Sequence, residues 1–371
     1  MTAPMPLIID TDPGVDDTSA LILALLGPEV DVRAVTVTFG NVSREKTFAN
    51  ARRVLALAGR TDVLVAAGAV RPLVHAQGEL AADWHGADGL GVRSADFPEP
   101  GPADPRPAIT LMADVLSASP EPVTIVSLGP MTNTALLLAG HPALIPRIAR
   151  IVAMGGSLGT GNTRGAGEFN VYADPEAAQR VLTQPDVPVT LVPLDLTMQC
   201  LADGAWLDAL AAGGPRCAAL VGTVTVYREM FRERYGVDAA ALHDTLAVLE
   251  AITPGTLRPK PFPVSVACTL GPARGMTEAD RRPDAPARWC RWRSTPMSPR
   301  SPPKPCAGSS PSADSARLPA RLRVPGPRAH EDAASAVAGL LLPSTARHND
   351  QQPAFRHRAP NELGPRERFC R

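Results

Sequence analysis

The chain of 371 residues has no excess charge of either sign, since 37 Lys and Arg balance 37 Asp and Glu and no long block of like charge occurs. A surface without a strong field of one sign does not favour nucleic acid or anionic membrane as a partner. No apolar run approaches the roughly 20 residues that span a bilayer, and no basic stretch leads into an apolar segment at the N-terminus. We therefore expect a cytoplasmic protein with no nucleic-acid and no membrane partner.

The cysteines are few and scattered: the chain has six, and no two of them form a C-x-x-C pair. This spacing argues against a zinc knuckle and against a disulfide framework. An internal repeat is also missing. The length suits one large α/β domain or two ordinary ones.

Up to about Thr269 the chain alternates short β-branched runs with helical patterns rich in alanine and leucine. Strands are predicted at 7–12, 32–38, 62–66, 123–128, 148–154 and 187–194, and helices at 16–26, 44–58, 110–118, 132–139 and 175–182. This alternation predicts an α/β fold: a single open, mostly parallel, Rossmann-like sheet with helices on both faces. Because the crossovers are right-handed, the carboxyl ends of the strands meet at one edge, where ligands bind.

The regular pattern stops after about Arg281, where the sequence becomes rich in proline, arginine and serine. Such a composition buries too little apolar surface to offset the entropy lost on ordering. We predict a folded domain at 1–280 and a tail of low order at 281–371, in which only 333–342 has the pattern of a short helix. The abrupt change resembles a reading-frame shift in GC-rich coding DNA.

Four aspartates follow the first apolar run within eight residues: Asp10, Asp12, Asp16 and Asp17. Aspartate is rarely buried unless it is paired or binds a cation. The turn at Pro13 and Gly14 brings Asp12 and Asp17 together, and carboxylates held this close repel one another unless a cation lies between them. Hard oxygen ligands suit Ca²⁺ or Mg²⁺. Helix capping is the alternative, and it explains two of the four at most.

The segment DTDPGVDD after an apolar strand resembles the signature of the nucleoside hydrolases, the inosine–uridine-preferring N-ribohydrolases. Later segments agree with this family in the same order: FGN at 39–41, WHGADGLG at 84–91, SLGPMTN at 127–133, MGG at 154–156, GNTRGAGEFNVYADPEAA at 161–178 and LHDTLAV at 242–248. The resemblance covers about residues 6–280. It implies a nucleoside hydrolase-like catalytic domain there.

The resemblance also implies the metal ligands and the groups that transfer protons. Ca²⁺ would be bound by Asp12, Asp17, Asp244 and the backbone carbonyl of Leu128. Asp12 would also take a proton from the attacking water, and His243 would protonate the departing base. Asp10 would lie behind the metal ligands and orient them.

Further residues are implied to bind the substrate. The ribose hydroxyls would be held by Asp16, Asn41, Asn162, Glu168 and Asn170, and Met154 would touch the ribose. Phe169 or Tyr235 could stack on the base, and His85 is a second candidate proton donor.

Each of these residues also has a structural explanation. Asn41 and Asn162 are typical turn residues, Asp244 could cap a helix, and Phe169 could be core. Glu168 and Asn170 would share one side if the segment were extended.

The implied activity is hydrolysis of the N-glycosidic bond of a ribonucleoside to ribose and free base, as in purine or pyrimidine salvage. Two other functions stay open: a non-catalytic nucleoside- or sugar-binding protein or defective pseudoenzyme, and a haloacid-dehalogenase-like phosphatase using Asp10 and Asp12. The phosphatase hypothesis assigns no role to the segment DPGVDD. The loops at 84–90 and 226–240 do not decide the base preference. The family implies a homodimer or homotetramer.

Overall fold

The computed structural model describes residues 3–76, 80–163, 166–280, 282 and 322–325. Its strands are β1 (Met5–Thr11), β2 (Val30–Val37), β3 (Leu64–Ala67), β4 (Val123–Ser127), β5 (Ile148–Met154), β6 (Val189–Val192), β7 (Leu201–Ala202), β8 (Ala240–Ala241), β9 (Pro259–Phe262), β10 (Val264–Val266), β11 (Thr277–Ala279) and β12 (Leu322–Pro325). Its helices are α1 (Val15–Leu26), α2 (Arg44–Ala58), α3 (Ala82–His85), α4 (Ala108–Ala118), α5 (Thr132–Gly140), α6 (Phe169–Ala173), α7 (Pro175–Leu182), α8 (Leu194–Thr197), α9 (Gly204–Ala211), α10 (Pro215–Tyr235) and α11 (His243–Ile252).

The main sheet has the strand order β3-β2-β1-β4-β5-β6-β12-β9. The first six strands in this order run parallel to one another, and β9 is antiparallel to its neighbour β12. The predicted α/β fold with a mostly parallel sheet is therefore confirmed. The bounds of β5, α2 and α7 agree with the predicted ranges to the residue.

Strand β1 shows how the sheet separates two apolar layers. Leu7 and Ile9 face one core, which also contains residues of α1, α2, α10 and α11. Ile8 faces the other core, together with residues of α4, α5 and α7. Successive side chains of a strand point to opposite faces, so a continuous apolar run is what a strand covered on both faces requires. Helices lie on both faces, as predicted.

Helix α10 was not predicted, although it is the longest described helix, at 21 residues. It begins at Pro215, because the first N–H groups of a helix have no partner within it and the one that proline lacks is not missed. Gly236 follows its last residue with a φ of 67°, a left-handed conformation that favours glycine, and so caps the helix. No helix in the described part of the chain is long and apolar enough to cross a membrane.

Strand β12 lies within the segment for which the composition predicted low order. Its Arg323 pairs with Thr190 of β6 on one side and with Pro261 of β9 on the other. Such pairing uses backbone N–H and C=O groups, so it does not need the side-chain alternation on which the prediction relied. The rest of the predicted tail, including the possible helix at 333–342, lies outside the described residues.

Candidate functional site

The candidate site lies where the strand order reverses, between β1 and β4. In open α/β sheets this crevice at the carboxyl ends of the strands is where ligands bind. Asp12 follows β1, Asn41 follows β2, Leu128 follows β4, and Met154 ends β5. The parallel sheet thus brings together residues that are far apart in sequence.

The carboxylate of Asp12 is buried in a tight cradle at this edge. The backbone N–H of Asn41 donates to Asp12 Oδ2 at 2.8 Å. A Cβ added at Gly40 or at Gly129 would overlap the carboxylate oxygens of Asp12. These two loops therefore approach closely enough to fix the carboxylate only because both positions are glycine.

Asp17 is held by three donors from three parts of the chain. Thr11 Oγ1 donates to its Oδ1 at 2.5 Å, while the N–H of Gly14 and Nδ2 of Asn41 donate to its Oδ2 at 2.9 and 3.1 Å. The contact with Gly14 is a helix-capping contact, because Gly14 is the N-cap of α1. Helix capping therefore explains part of the role of Asp17, but it does not explain why Asp12 and Asp16 are buried.

Three buried carboxylates converge beside Asp12. Asp16, Asp17 and Asp244 each place one oxygen within 4.8 Å of the others. Burial raises the pKa of all three, and for Asp16 and Asp244 the second-largest cause is a neighbouring carboxylate. Burial also raises the pKa of Asp12 well above its usual value, followed by the charge of Asp17. The ionised cluster is unfavourable by itself, and a divalent cation bound to hard oxygen atoms would relieve it.

The donor set therefore fits the predicted calcium site, with one difference in geometry. Asp16, assigned from sequence to the ribose, lies in the close carboxylate group, whereas Asp12 lies outside it. The carbonyl oxygen of Leu128 accepts a hydrogen bond from Nδ2 of Asn170 at 2.6 Å. A carbonyl oxygen has two lone pairs, so this contact leaves one for another partner.

The condition under which Glu168 and Asn170 would share one side of an extended segment is not met, because the chain turns into a helix after Glu168. Helix α6 begins at Phe169, and Glu168 is its N-cap. The carboxylate of Glu168 accepts N–H groups of Gly156, Asn170 and Val171 at 2.8, 2.9 and 3.2 Å. Satisfying these free N–H groups at the helix start is more favourable here than an extended backbone. Burial nevertheless raises the pKa of Glu168 to about 7.

Asn162 lies in the loop of residues 157–163, which follows β5 and crosses the edge of the site. Its Oδ1 accepts the N–H of Phe169 at 2.9 Å, and its own N–H donates to the carbonyl of Gly167 at 3.1 Å. The side-chain oxygen is thus engaged, and the side-chain NH₂ is the group it can offer to a ligand.

His243 opens helix α11 directly before Asp244, and its Nδ1 lies 2.7 Å from Oγ1 of Thr197. The hydroxyl of Thr197 donates to the carbonyl of Leu194 at 3.2 Å, so its oxygen can accept a hydrogen from Nδ1. This contact orients the ring and leaves Nε2 for a ligand. Burial lowers the pKa of His243 to about 4, so the ring is neutral at pH 7 before substrate binds.

His85, the last residue of α3, is buried and not solvated. Its Nδ1 accepts the N–H of Val15 at 3.1 Å, and its ring stacks on Tyr227 with centroids 5.4 Å apart. Burial, followed by the charge of His243, lowers the pKa of His85 to about 3. The ring is therefore neutral, with Nε2–H as its donor.

A cavity of about 320 Å³ lies above these groups. The sequence-predicted residues that line it are Asp16, Asn41, His85, Leu128, Met154, Asn162, Glu168, Phe169, Asn170, Tyr235, His243 and Asp244. Asp12 and Asp17 do not line it but are buried in the turn that holds Asp16. The predicted residues are thus brought together in one place.

Asp10 lies behind this group, as predicted. Its carboxylate accepts hydrogen bonds from Thr36 Oγ1 and Asn133 Nδ2, both at 2.8 Å, and from Thr134 Oγ1 at 3.2 Å. Burial raises its pKa to about 6, against the effect of these donors. Asp10 therefore ties β1 to β2 and α5 under the site.

The far end of the cavity is aromatic and is formed by the two segments at 84–90 and 226–240, of which residues up to 235 form a helix and not the predicted loop. Tyr227, Phe231 and Tyr235 project from α10 at helical spacing and pack around Trp84 of α3. The guanidinium carbon of Arg234 lies 4.5 Å from the Trp84 ring centroid. A spacing of four residues along 226–235 is the signal that would have placed these side chains on one helix face.

Comparison with known proteins agrees with this geometry. The sequence model of the inosine-uridine preferring nucleoside hydrolase family matches residues 7–300. The pyrimidine-specific ribonucleoside hydrolase RihA of Salmonella agona is 42% identical over 260 residues, which cover 67% of this chain and 80% of the relative. The RihA of Escherichia coli O8 is 40% identical over 286 residues, covering 74% and 88%.

Solved structures give the same result. A plant nucleoside hydrolase superposes with a TM-score of 0.78 at 29% identity, covering 91% of this chain and 99% of the other. A purine-preferring ribonucleoside hydrolase from Gardnerella vaginalis gives 0.73 at 27% identity, with the same coverage. The matches cover most of the sequence, and the structure has a carboxylate cluster and an adjoining cavity where the strand order reverses. The chain therefore belongs to the inosine-uridine preferring nucleoside hydrolase family and is a nucleoside N-ribohydrolase.

Proposed function

We propose that this enzyme hydrolyses the N-glycosidic bond of ribonucleosides with the help of one Ca²⁺ held by Asp12, Asp17, Asp244 and the carbonyl of Leu128. The observation that carries the proposal is the group of buried carboxylates around Asp12, whose pKa values are raised by burial and by one another. Asp16 belongs to the same close group, and it either adds to the ion's ligands or accepts a ribose hydroxyl. When bound, the ion would make a water more acidic and orient it.

Asp12 is the proposed base that accepts a proton from the attacking water. Its carboxylate cannot rotate freely, because Asn41 donates to one oxygen and Gly40 and Gly129 enclose both. A base held in one orientation is effective, since it need not be reoriented before it accepts the proton.

The polar end of the cavity is proposed to bind ribose. Glu168, Asn170 and Asn162 line it together with Asn41. Much of the hydrogen-bonding capacity of these residues is used inside the protein, which fixes their rotamers, and their remaining donors and acceptors are proposed to meet the sugar. Sugar hydroxyls are both donors and acceptors, so a mixed set of this kind suits them.

The aromatic end is proposed to receive the base, and His243 is proposed to donate a proton to it as it leaves. The ring is neutral in the free site, so it must gain its proton with substrate bound. Met154 lines the cavity and is proposed to touch the ribose, while Phe169 is proposed to stack on the base.

We further propose that pyrimidine ribonucleosides are the preferred substrates. The relatives at 40–42% identity are named as pyrimidine-specific, whereas the purine-preferring neighbour is only 27% identical. Because the chain belongs to this family, the alternative hypothesis of a haloacid-dehalogenase-like phosphatase has no remaining support.

The test is ribose release from uridine, cytidine, inosine and adenosine by the purified chain, before and after treatment with EGTA. We expect hydrolysis that is lost on chelation and restored by Ca²⁺. The melting temperature should fall on chelation too, because a ligand at 100 times its Kd stabilises the native state by about 2.7 kcal/mol. Unchanged activity and melting temperature in EGTA would remove calcium from the proposal. No ribose from any substrate would favour a binding protein or pseudoenzyme instead.

A further inference from the structure

The short helix α8 touches two parts of the site without lining the cavity itself. Its residues are Leu194–Thr197, directly after β6. Asp195 contacts the loop of residues 157–163, and Thr197 contacts His243. One helical turn thus lies behind both the ribose end of the cavity and the residue proposed to protonate the base.

Asp195 binds the loop of residues 157–163 at its start. Its Oδ2 accepts the backbone N–H of Leu158 at 2.6 Å and lies 3.3 Å from the hydroxyl of Ser157, which can donate to it. The loop packs closely there, since a Cβ added at Gly159 would lie 2.8 Å from Asp195 Oδ1. A charged acceptor on a backbone N–H makes a short, strong hydrogen bond, so Asp195 fixes the path of the loop.

The loop leads from this anchor to Asn162. Ser157 lies beside Asp195. Its Oγ is also within 2.9 Å of the carbonyl oxygen of Thr160 and accepts the N–H of Gly159 at 3.2 Å. At its other end Asn162 is joined to Phe169 and Gly167. Asp195 therefore helps to decide where the side-chain NH₂ of Asn162 meets a ligand.

Thr197 acts on the other side of the same turn. It is fully buried, and its hydroxyl lies between the carbonyl of Leu194 and Nδ1 of His243. A hydroxyl has one hydrogen and can accept others, so it can satisfy both groups at once. Without it, a buried ring nitrogen would have to find another partner or change orientation.

We propose that Asp195 and Thr197 are positioning residues of this enzyme: Asp195 holds the 157–163 loop so that Asn162 meets the ribose, and Thr197 orients His243 toward the leaving base. This proposal rests on the proposed function for the roles of Asn162 and His243. Neither positioning residue touches the substrate. Each acts through one hydrogen-bonded neighbour, so the two should affect different kinetic constants.

The first test compares Asp195→Ala with Asp195→Asn. Loss of an anchor for a binding loop weakens ground-state and transition-state binding equally, which raises KM and leaves kcat nearly unchanged. We expect KM for uridine to rise about tenfold in Asp195→Ala, the effect of about one lost hydrogen bond. Asp195→Asn keeps one acceptor oxygen and should recover part of this loss. Asp208→Ala, on the exposed side of α9, is the matched control and should behave as wild type.

The second test compares Thr197→Val with Thr197→Ser. Valine keeps the shape and removes the hydroxyl, so kcat for uridine should fall about tenfold. Hydrolysis of p-nitrophenyl riboside, whose leaving group needs little protonation, should be nearly unchanged. Serine restores the hydroxyl and should restore kcat. Thr183→Val removes a hydroxyl that donates to the carbonyl of Gln179 at the end of α7 and serves as the control.

Several results would overturn the proposal. A wild-type KM in Asp195→Ala, or a fall in kcat alone, would remove the loop role. Equal losses in Thr197→Val and Thr197→Ser, or equal losses on both substrates, would show that Thr197 only fills space. Melting temperatures measured alongside identify a variant that fails to fold, and the conservative variants then decide the question.

The same variants separate this proposal from the proposed function. If the wild-type protein released no ribose, calorimetry with ribose would still test Asp195, since Asp195→Ala should bind it about tenfold more weakly. The ¹⁵N resonance of His243 Nδ1 would test Thr197. It should shift in Thr197→Val and stay near its wild-type position in Thr197→Ser. Unchanged ribose binding and unchanged resonances would overturn the proposal without any activity measurement.

Discussion

The backbone N–H of Val15 donates a hydrogen bond to Nδ1 of His85, and this bond joins the start of α1 to a residue 70 positions later in the chain. It can form only while Nδ1 carries no proton. Folding lowers the pKa of His85 from 6.5 to about 3, chiefly through burial. The ring thus contributes stability that is present above pH 6.5 and is lost as the pH falls toward 3.

The first prediction concerns this pH dependence. His85→Gln keeps an acceptor for Val15 but has no titrating ring, so its free energy of unfolding should fall less than that of wild type between pH 6.5 and 4. One proton accounts for at most about 1.4 kcal/mol per pH unit. Urea unfolding across this range measures the difference. Parallel curves for wild type and His85→Gln would contradict the assigned contact.

The second prediction concerns Asp12. Asp12→Asn keeps the size of the side chain but removes the proton acceptor and one negative charge, so turnover of uridine should be nearly abolished while the fold is retained. Circular dichroism and calcium titration should accompany the rate measurement. Asp208→Asn provides the control for loss of an exposed carboxylate. A rate within about tenfold of wild type would show that another group is the base, because general-base catalysis contributes about 10²–10⁴.

The third prediction concerns His243. If it donates the proton, His243→Ala should lower the rate on uridine by about 10²–10⁴ and have a much smaller effect on p-nitrophenyl riboside. Calcium affinity must be measured in the same variant, since Asp244 is the next residue. Equal losses on both substrates with weaker calcium binding would show that His243 supports the metal site. A nearly unchanged rate on both would move the acid role to His85 or to water.

The fourth prediction uses two glycines of the α5 region. A methyl group at Gly129 would overlap the Asp12 carboxylate, whereas a methyl group at Gly140 would meet nothing within 4 Å. Gly129→Ala should therefore lower kcat strongly by displacing Asp12. Gly140→Ala, at the end of α5, should keep full activity and be unchanged or more stable by up to about 1 kcal/mol. Equal activity in the two variants would contradict the cradle.

The sequence was informative where a local pattern has a single structural outcome. The apolar run at 7–9 followed by aspartates predicted both a buried strand and a charged site at its end, and Asp10, Asp12 and Asp17 lie there. The position of the site at one edge of the sheet could be predicted because parallel strands place their carboxyl ends together. The resemblance then supplied Asn41, His243 and Asp244, which no local pattern connects with Asp12.

Other features depend on contacts that sequence spacing does not contain. Glu168 accepts N–H groups of the helix that follows it and also the N–H of Gly156. Gly156 lies after β5 and is distant in sequence, so the spacing around Glu168 does not predict this contact. The burial of His85 depends on Tyr227 of α10, which is distant in sequence, so the residues around His85 do not predict it. Strand β12 pairs through its backbone, which leaves no trace in side-chain alternation.

The side chain of Asn41 has a consequence for how the site is assembled. Its Nδ2 donates to the carbonyl of Asp12 at 3.0 Å and to Oδ2 of Asp17 at 3.1 Å. One amide group therefore holds two of the acidic residues together through the protein's own hydrogen bonds. If the proposed calcium site is right, such preorganisation would let the ion bind with little rearrangement. The repulsion between the carboxylates would then weigh most on a newly made chain that has not yet bound the ion.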